Sequence, residues 1–432
     1  MNRHCRHHTR TAVAVLAATA AVMTGCAPNT TPEATAADTA TETTRDPVLI
    51  AAAPGELDPG PYTTVPHDAL PKTAEDDILG QFVESQRMAE FLVLPAEIDP
   101  ELTGSQSAAT RTIFDSSALE FLIDDGNNAV RAIGDDHGFY AGYSTARYDP
   151  ADHASITHAV LEFPDSATAA AAAAELHQVQ FLPDMSGFSE MTPPPIPVAY
   201  PQENMPDSLI SAEFISSKYS NEVWIESFTP HGRYVIYTRA NGPSDREDWA
   251  RRSIARALEV QRPMIDEFPF TEPADLPELE VDVDGVMRLA VPPPSDDENM
   301  PVPAVYGPRG AAHQEDQLNT LDLFADTGTT NLGIHGTFVY STMGEDQAAT
   351  LFDRLIGNIR AQTEGITYVP ASGPPGVPDA RCFDVVTTSG SFGTCLVLYD
   401  TYVGEGRTST LEASHELATA QYMIFEANAS QG

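Results

Sequence analysis

The sequence predicts an α+β fold of two tandem related units, each an antiparallel sheet with helices packed on one face. Three observations lead to this. The same order of signals (strand, helix, hairpin, helix) occurs once in each half. A Pro-rich, acidic stretch from Pro263 to Pro303 separates the halves. Hydrophobic residues make up 42% of the 432 positions, enough for two ordinary cores. The expected boundaries are a leader over 1–25, a tether over 26–46, an N-terminal α+β domain over 47–272, a connector with one strand over 273–303 and a C-terminal α+β domain over 304–432.

The leader starts with Arg3, Arg6 and Arg10 and continues into an uncharged Ala/Val/Leu stretch from Thr11 to Ala21. At about 11–14 residues this stretch is short for a bilayer span and suits a cleaved signal. Met23-Thr24-Gly25-Cys26 then sets small residues before a cysteine, the layout of a bacterial lipoprotein signal with Met23 where Leu is usual. Cys26 is the expected lipid acceptor; the alternative is an ordinary signal peptide with an incidental cysteine. Two or three acyl chains would anchor the protein stably to the outer face of the cell membrane. Ala27 to Asp46 is almost wholly Ala, Thr, Pro, Asn, Asp and Glu. Without apolar periodicity it reads as a disordered tether, with a reach on the order of 25 Å.

In the first domain, Val160 to Phe163 reads as a strand, and Asp165 caps an Ala-rich helix from Ala167 to about Gln180. Pro193 to Pro197 reads as a surface loop. Glu222 to Phe228 alternates polar and apolar, turns at His231-Gly232 and returns through Tyr234 to Tyr237 as a hairpin. Ser244-Asp245-Arg246-Glu247 is a capping box for a helix over Trp249–Gln261 that stops at Pro263. In the connector, Leu279 to Met287 alternates like a strand. In the second domain, Thr337 to Tyr340 is strand-like. A helix over Asp346–Thr363 carries Leu351, Phe352, Leu355 and Ile359 at helical spacing. A hairpin around Cys382 and Cys395 turns over Ser389–Gly393, and Thr410 opens a final helix to about Phe425. Internal duplication is expected from setting His231–Gln261 beside Gly393–Tyr422.

Cys5 falls in the leader and Cys26 takes the lipid, which leaves Cys382 and Cys395. Flanked by strand signals in an exported, oxidising setting, they predict a disulfide across the hairpin, worth about 2–3 kcal/mol for so short a loop. A metal or redox pair would need closer spacing or histidines nearby in sequence, and has neither.

The formal net charge of −40 argues against nucleic acid and against direct adhesion to anionic head groups. Lysine occurs only at Lys72 and Lys218, which removes most lysine-based catalysis. There is no Gly-x-Ser-x-Gly elbow, His-Glu-x-x-His, phosphate-cradling loop or dinucleotide fingerprint. No catalytic residue, metal ligand or cofactor is assigned. Glu280, Asp282, Asp284 and Gly285 resemble half of a calcium loop, but the twelfth position is Val291 where a bidentate Glu belongs; an acidic strand face fits better. Asp124 to Asn128 and Gly134 to Gly138 fit turns, whose residues use their side chains locally. His153 and His158, near Asp149 and Asp152, are five apart, a spacing that does not reliably set both rings on one face, and they read as scattered surface histidines rather than a zinc or nucleophile site. Arg87 and Glu90 are expected to pair and to tie their helix to Glu97–Asp99.

Several segments, taken in order, resemble a group of actinobacterial cell-envelope lipoproteins of unknown function. They are Glu84 to Glu90 followed by Leu94 to Pro100, then Phe163-Pro164-Asp165 with its Ala-rich helix, and Gly232 to Val235. Val283-Asp284-Gly285 with Met287, and the two-cysteine region ending Ala420-Gln421-Tyr422, complete the series. The resemblance spans nearly everything beyond the tether. It implies two family-type domains on an envelope lipoprotein and transfers no catalytic residue. The expected function is therefore that of a membrane-anchored extracytoplasmic lipoprotein binding a ligand or protein partner. The alternative is an envelope hydrolase using a carboxylate pair, which would show as two carboxylates roughly 5–9 Å apart in a deep pocket.

Overall fold

A computed structural model describes residues 53–430 apart from 68–70, 124–128, 182–197, 200–204, 217–220, 294–302, 315–316, 362–364 and 389. The leader, the tether with Cys26, the Asp124–Asn128 turn and the Pro193–Pro197 loop lie outside the described residues. Pro47–Gly432 forms one compact unit.

Its first half runs α1 (Asp77–Met88), α2 (Pro95–Ile98), β1 (Gly104–Ser105), β2 (Arg111–Thr112), α3 (Ser116–Leu122), α4 (Ala129–Asp136), β3 (Ala141–Tyr148), β4 (Ser155–Glu162), α5 (Ser166–Val179), β5 (Val198–Ala199), β6 (Leu209–Ser216), β7 (Asn221–His231), β8 (Tyr234–Pro243) and α6 (Glu247–Ile265). The second half runs β9 (Ala304–Tyr306), α7 (Pro308–Gln314), α8 (Gln317–Thr327), β10 (Thr329–His335), β11 (Thr337–Thr342), α9 (Glu345–Ala361), β12 (Ile366–Ala371), β13 (Ala380–Thr387), β14 (Gly390–Tyr399), β15 (Tyr402–Thr408) and α10 (Leu411–Ala429).

Each half builds one antiparallel sheet. The first is ordered β1-β3-β4-β8-β7-β6-β5, with β2 also on β3; the second, from its other end, is β9-β10-β11-β15-β14-β13-β12. The two paths are the same. Each has a hairpin, a helix, a meander that returns its last strand to the hairpin, and a closing helix. Register makes the match residue by residue. Ala159 pairs with Tyr237 and Arg239 with Glu226; at the matching places Phe338 pairs with Glu405 and Arg407 with Thr394.

The repeat is thus shifted by one strand from the expected alignment, since β14 with Cys395 matches β7 rather than β8. β15 hides in sequence because Gly404 and Gly406 interrupt its apolar pattern. The glycines are needed where α10 lies flat on the sheet: a Cβ at Gly406 would come within 2.7 Å of Leu417.

The α+β class and the two antiparallel sheets with helices agree with the expectation, but the helices are spread over both faces. Ile236 and Ala240 of β8 share a core with Ile254 and Leu258 of α6, while Val235 and Tyr237 pack under α5. In the second half Cys395 and Val397 face α10, while Leu396 and Val403 face α9. The α6 face of the first sheet and the α9 face of the second belong to one continuous core.

Matching glutamines fasten the closing helices. Gln261 on α6 donates to Phe91 O (2.7 Å) and accepts from Val93 N (2.9 Å), beside a 3₁₀ turn over Ala89–Phe91. Gln421 on α10 donates to Leu289 O (2.8 Å), beside a 3₁₀ turn over Met287–Leu289, and accepts from Thr337 Oγ1 (2.6 Å). Between the halves, Gln86 donates to Pro303 O (3.0 Å), and Arg147 to His313 O (2.7 Å).

Three local expectations are corrected. Leu279 to Met287 is not a strand: Glu280 makes an isolated bridge to Thr73 and two 3₁₀ turns follow. The helix expected to stop at Pro263 continues to Ile265, and Ser244–Arg246 forms a 3₁₀ turn with no side-chain cap. Asp165 and Thr410 do cap α5 and α10, accepting from Thr168 N and Ala413 N.

Candidate functional site

A cavity of about 510 Å³ opens on the α9 face of the second sheet, within the size range of small-ligand sites. Leu323 and Phe324 of α8 and Tyr340 and Thr394 of the sheet form its buried floor. Tyr368, Phe392, Leu355 and Ile359 line the walls, and Asn319, Asn358 and Arg407 reach the exposed rim. The one carboxylate among the described lining residues is Glu405 of β15, whose side chain is 14% exposed. Strand alternation puts it there, because Val403, Glu405 and Arg407 share one face. Its oxygens lie 3.5 Å from the Tyr340 hydroxyl and 3.6 Å from Arg407 Nη2. Both distances are long for good hydrogen bonds, so accepting capacity remains. Burial raises the pKa of Glu405, against smaller opposing effects of Arg407 and Tyr340.

The matching place in the first half is differently filled. There Tyr237, Glu226 and Arg239 occupy the positions of Glu405, Thr394 and Arg407. The Tyr237 hydroxyl donates to Glu226 at 2.5 Å, and Arg239 lies 3.9 Å from the same oxygen. A hollow of about 180 Å³ remains beside Arg239, lined by Arg111 and Phe121. Glu213 stands nearby, its pKa pushed up to about 7 by burial and by the charge of Glu226.

The residues weighed from sequence have structural partners. Asp282 accepts from Met287 N (2.6 Å) and Arg288 N (2.9 Å), and Asp284 from Asn331 (2.9 Å). Gly134 to Gly138 closes α4, with His137 3.2 Å from Glu175. His158 is not the surface histidine expected: it is buried between Thr238 Oγ1 and Gln261 Oε1 (2.9 Å each), whereas His153 stacks on Tyr148, and Asp149 and Asp152 pair with Arg246. Arg87 does not pair with Glu90. It bonds Glu84 and Thr271, while Glu90 accepts from Arg309 N and Gly310 N at the start of α7, and Arg309 makes the contact to Glu97 at 2.7 Å.

Cys382 and Cys395 lie directly opposite each other on β13 and β14 and are joined as a disulfide. The fold brings one histidine to them, His415 of α10, with ligand-type atoms within 4.8 Å; sequence spacing gave no sign of this. The bonded sulfurs offer no thiolate to a metal.

A buried carboxylate cluster forms a second polar feature. Glu162, at the end of β4, is fully enclosed, and its oxygens make no well-formed hydrogen bond; Arg233 is 4.0 Å away, and the Tyr140 hydroxyl also acts on it. Glu84 is also fully buried, accepting from Thr271 N at 2.7 Å. Burial, then the charge of Glu84, pushes the pKa of Glu162 up to about 8. Neither glutamate lines the large cavity, and among the described lining residues Glu405 has no second carboxylate beside it.

Sequence reading singled out neither Glu405 nor its aromatic neighbours. The available signal was a charged pair, Glu405 and Arg407, continuing an inward-facing row behind Val403. Among the described residues, no helix is long and apolar enough to cross a membrane.

Two family models match the chain: "Domain of unknown function (DUF7373) N-terminal" over residues 71–281 and "Domain of unknown function (DUF7373) C-terminal" over 286–428. A search of curated proteins returns no match. Among solved structures, the extracellular domain of PknH from Mycobacterium tuberculosis matches 42% of this chain and 97% of its own. The identity is 12% and the TM-score 0.30, too slight a likeness to carry an argument.

Proposed function

The chain belongs to the DUF7373 family, with both the N-terminal and the C-terminal domain, and from that premise we propose that it is a lipid-anchored extracytoplasmic protein that holds a ligand in its second half. The single observation that carries the binding reading is the cavity of about 510 Å³ with Glu405 in its wall. A hollow with an aromatic lining and a few convergent polar groups is the form small-ligand sites take. The anchor rests on the charged leader, the short apolar stretch and the small residues before Cys26. Actinobacterial origin rests on the ordered motifs from Glu84 to Tyr422, and the membrane partner on the lipid at Cys26.

Thermal shift of the purified chain tests the binding reading, with glycan fragments, envelope lipids and calcium as the additives. A ligand that prefers the folded state raises the melting temperature, by about 2.7 kcal/mol of stabilisation at a hundredfold excess over Kd. Stabilisation by one ligand class supports the reading, and no shift with any of them counts against it. Cys26→Ser should release the chain from the membrane fraction; a variant still bound to membranes contradicts the anchor.

A further inference from the structure

We infer that the cavity takes a neutral, hydroxyl-bearing ring, a sugar residue, which donates a hydroxyl to Glu405 as Tyr237 donates one to Glu226 in the first half. The inference rests on the ligand-binding reading and adds the ligand's class.

The first half serves as an internal reference. By strand register, Arg239 matches Arg407, Tyr237 matches Glu405, and Glu226 matches Thr394. Both cells therefore present a carboxylate and an arginine on one face of the strand pair, with the arginine at the same position and the carboxylate moved from β7 to β15, the counterpart of β8. In the first, the protein's own tyrosine ring fills the space and its hydroxyl reaches the carboxylate at 2.5 Å. In the second, the ring-bearing position has become the carboxylate, and the carboxylate position a threonine. The space is left as the larger cavity, and among the described residues the nearest donors to Glu405 stand at 3.5 and 3.6 Å.

The chemistry of the remaining lining narrows the ligand. Arg407 beside Glu405 leaves the cell close to neutral, which favours neither a cation nor an anion. Phe392 and Tyr368 put aromatic rings in the cavity wall, and the negative quadrupole of an aromatic face attracts the C–H faces of a sugar ring. Asn319 and Asn358 bring amides, which both donate and accept, to the rim. Several polar groups spread around aromatic walls suit a ligand with hydroxyls on several sides, rather than a phenol with one.

The test uses the full chain in detergent and isothermal titration with neutral mono- to trisaccharides, phenol, spermidine and a short-chain fatty acid. Three variants accompany the wild type. Thr394→Glu/Glu405→Tyr transplants the first half's filling pair into the cavity; Phe392→Ala removes a ring face; Tyr237→Phe alters only the first half. The expected result is that a saccharide binds the wild type and Tyr237→Phe alike. Binding should weaken at least tenfold in the double variant and several-fold in Phe392→Ala. Phe392→Ala keeps the test valid if circular dichroism shows the double variant misfolded. Binding of phenol, spermidine or the fatty acid in place of any saccharide, with loss in the variants, overturns the sugar assignment and leaves the cavity reading standing. Binding that all variants retain, or none by any probe, overturns both.

Discussion

Glu162 ends β4 with its carboxylate enclosed, 4.0 Å from Arg233 and beside a second buried glutamate. Desolvation disfavours the charged form, and with Glu84 it raises the folded pKa to about 8, against about 4.3 in an unfolded chain. Between those values the folded state holds a proton that the unfolded state has lost. The stabilisation is therefore complete below about pH 4.3 and is lost as pH rises through 8, at about 1.4 kcal/mol per pH unit. His158 and His313, held by burial near 4 and 3, act in the opposite direction below about pH 6.5, where the unfolded chain gains protons first. The difference between wild type and Glu162→Gln isolates the glutamate. Urea unfolding from pH 5 to 8.5 should show the variant gaining on the wild type as pH rises, and parallel curves would contradict the assignment. Nothing in the sequence marked this residue. It sits in a strand beside Leu161 and Phe163, and only the packing of α1 over the strand end shows that Glu162 is enclosed.

Closing helices are fastened by single side chains at matching places. Gln261 serves Val93 N, Phe91 O and His158 Nε2 at once, so Gln261→Leu would strand three buried polar groups. At about 1–3 kcal/mol for each unsatisfied group, the variant should lose roughly 3 kcal/mol or more. Arg256→Ala, exposed on the same helix, should lose less than about 0.5 kcal/mol. Equal midpoints in urea for the two variants would contradict the role given to Gln261. At this scale much of the fold was legible. Helices begun by a side-chain cap, such as those after Asp165 and Thr410, announce themselves, and so does the alternation of β7. Elements whose formation depends on a partner did not. Gly404 and Gly406 weaken the pattern of β15 because α10 must lie close, and β12 is an edge strand of mixed burial, Ile366 to Ala371. Missing those strands shifted the apparent repeat by one.

The molecule as a whole repeats one strand path in two halves that fill the same place differently. Both keep the same strand path and the same glutamine fastening, and a continuous core joins the α6 face of one sheet to the α9 face of the other. The first half closes its cell with Tyr237 and Glu226; the second leaves a cavity. The duplication itself could be anticipated from the order of elements. The cavity could not, because it depends on which of two equivalent positions carries the ring, and that is visible only once the strands are in register. Hydrogen–deuterium exchange of the chain, with and without the ligand that most raises its melting temperature, tests the central claim most directly. The account predicts added protection confined to the cavity's surround in the second half: α8, α9, β11, β12 and the β14–β15 hairpin. Protection confined to the first half, or none at all at saturation, would contradict it.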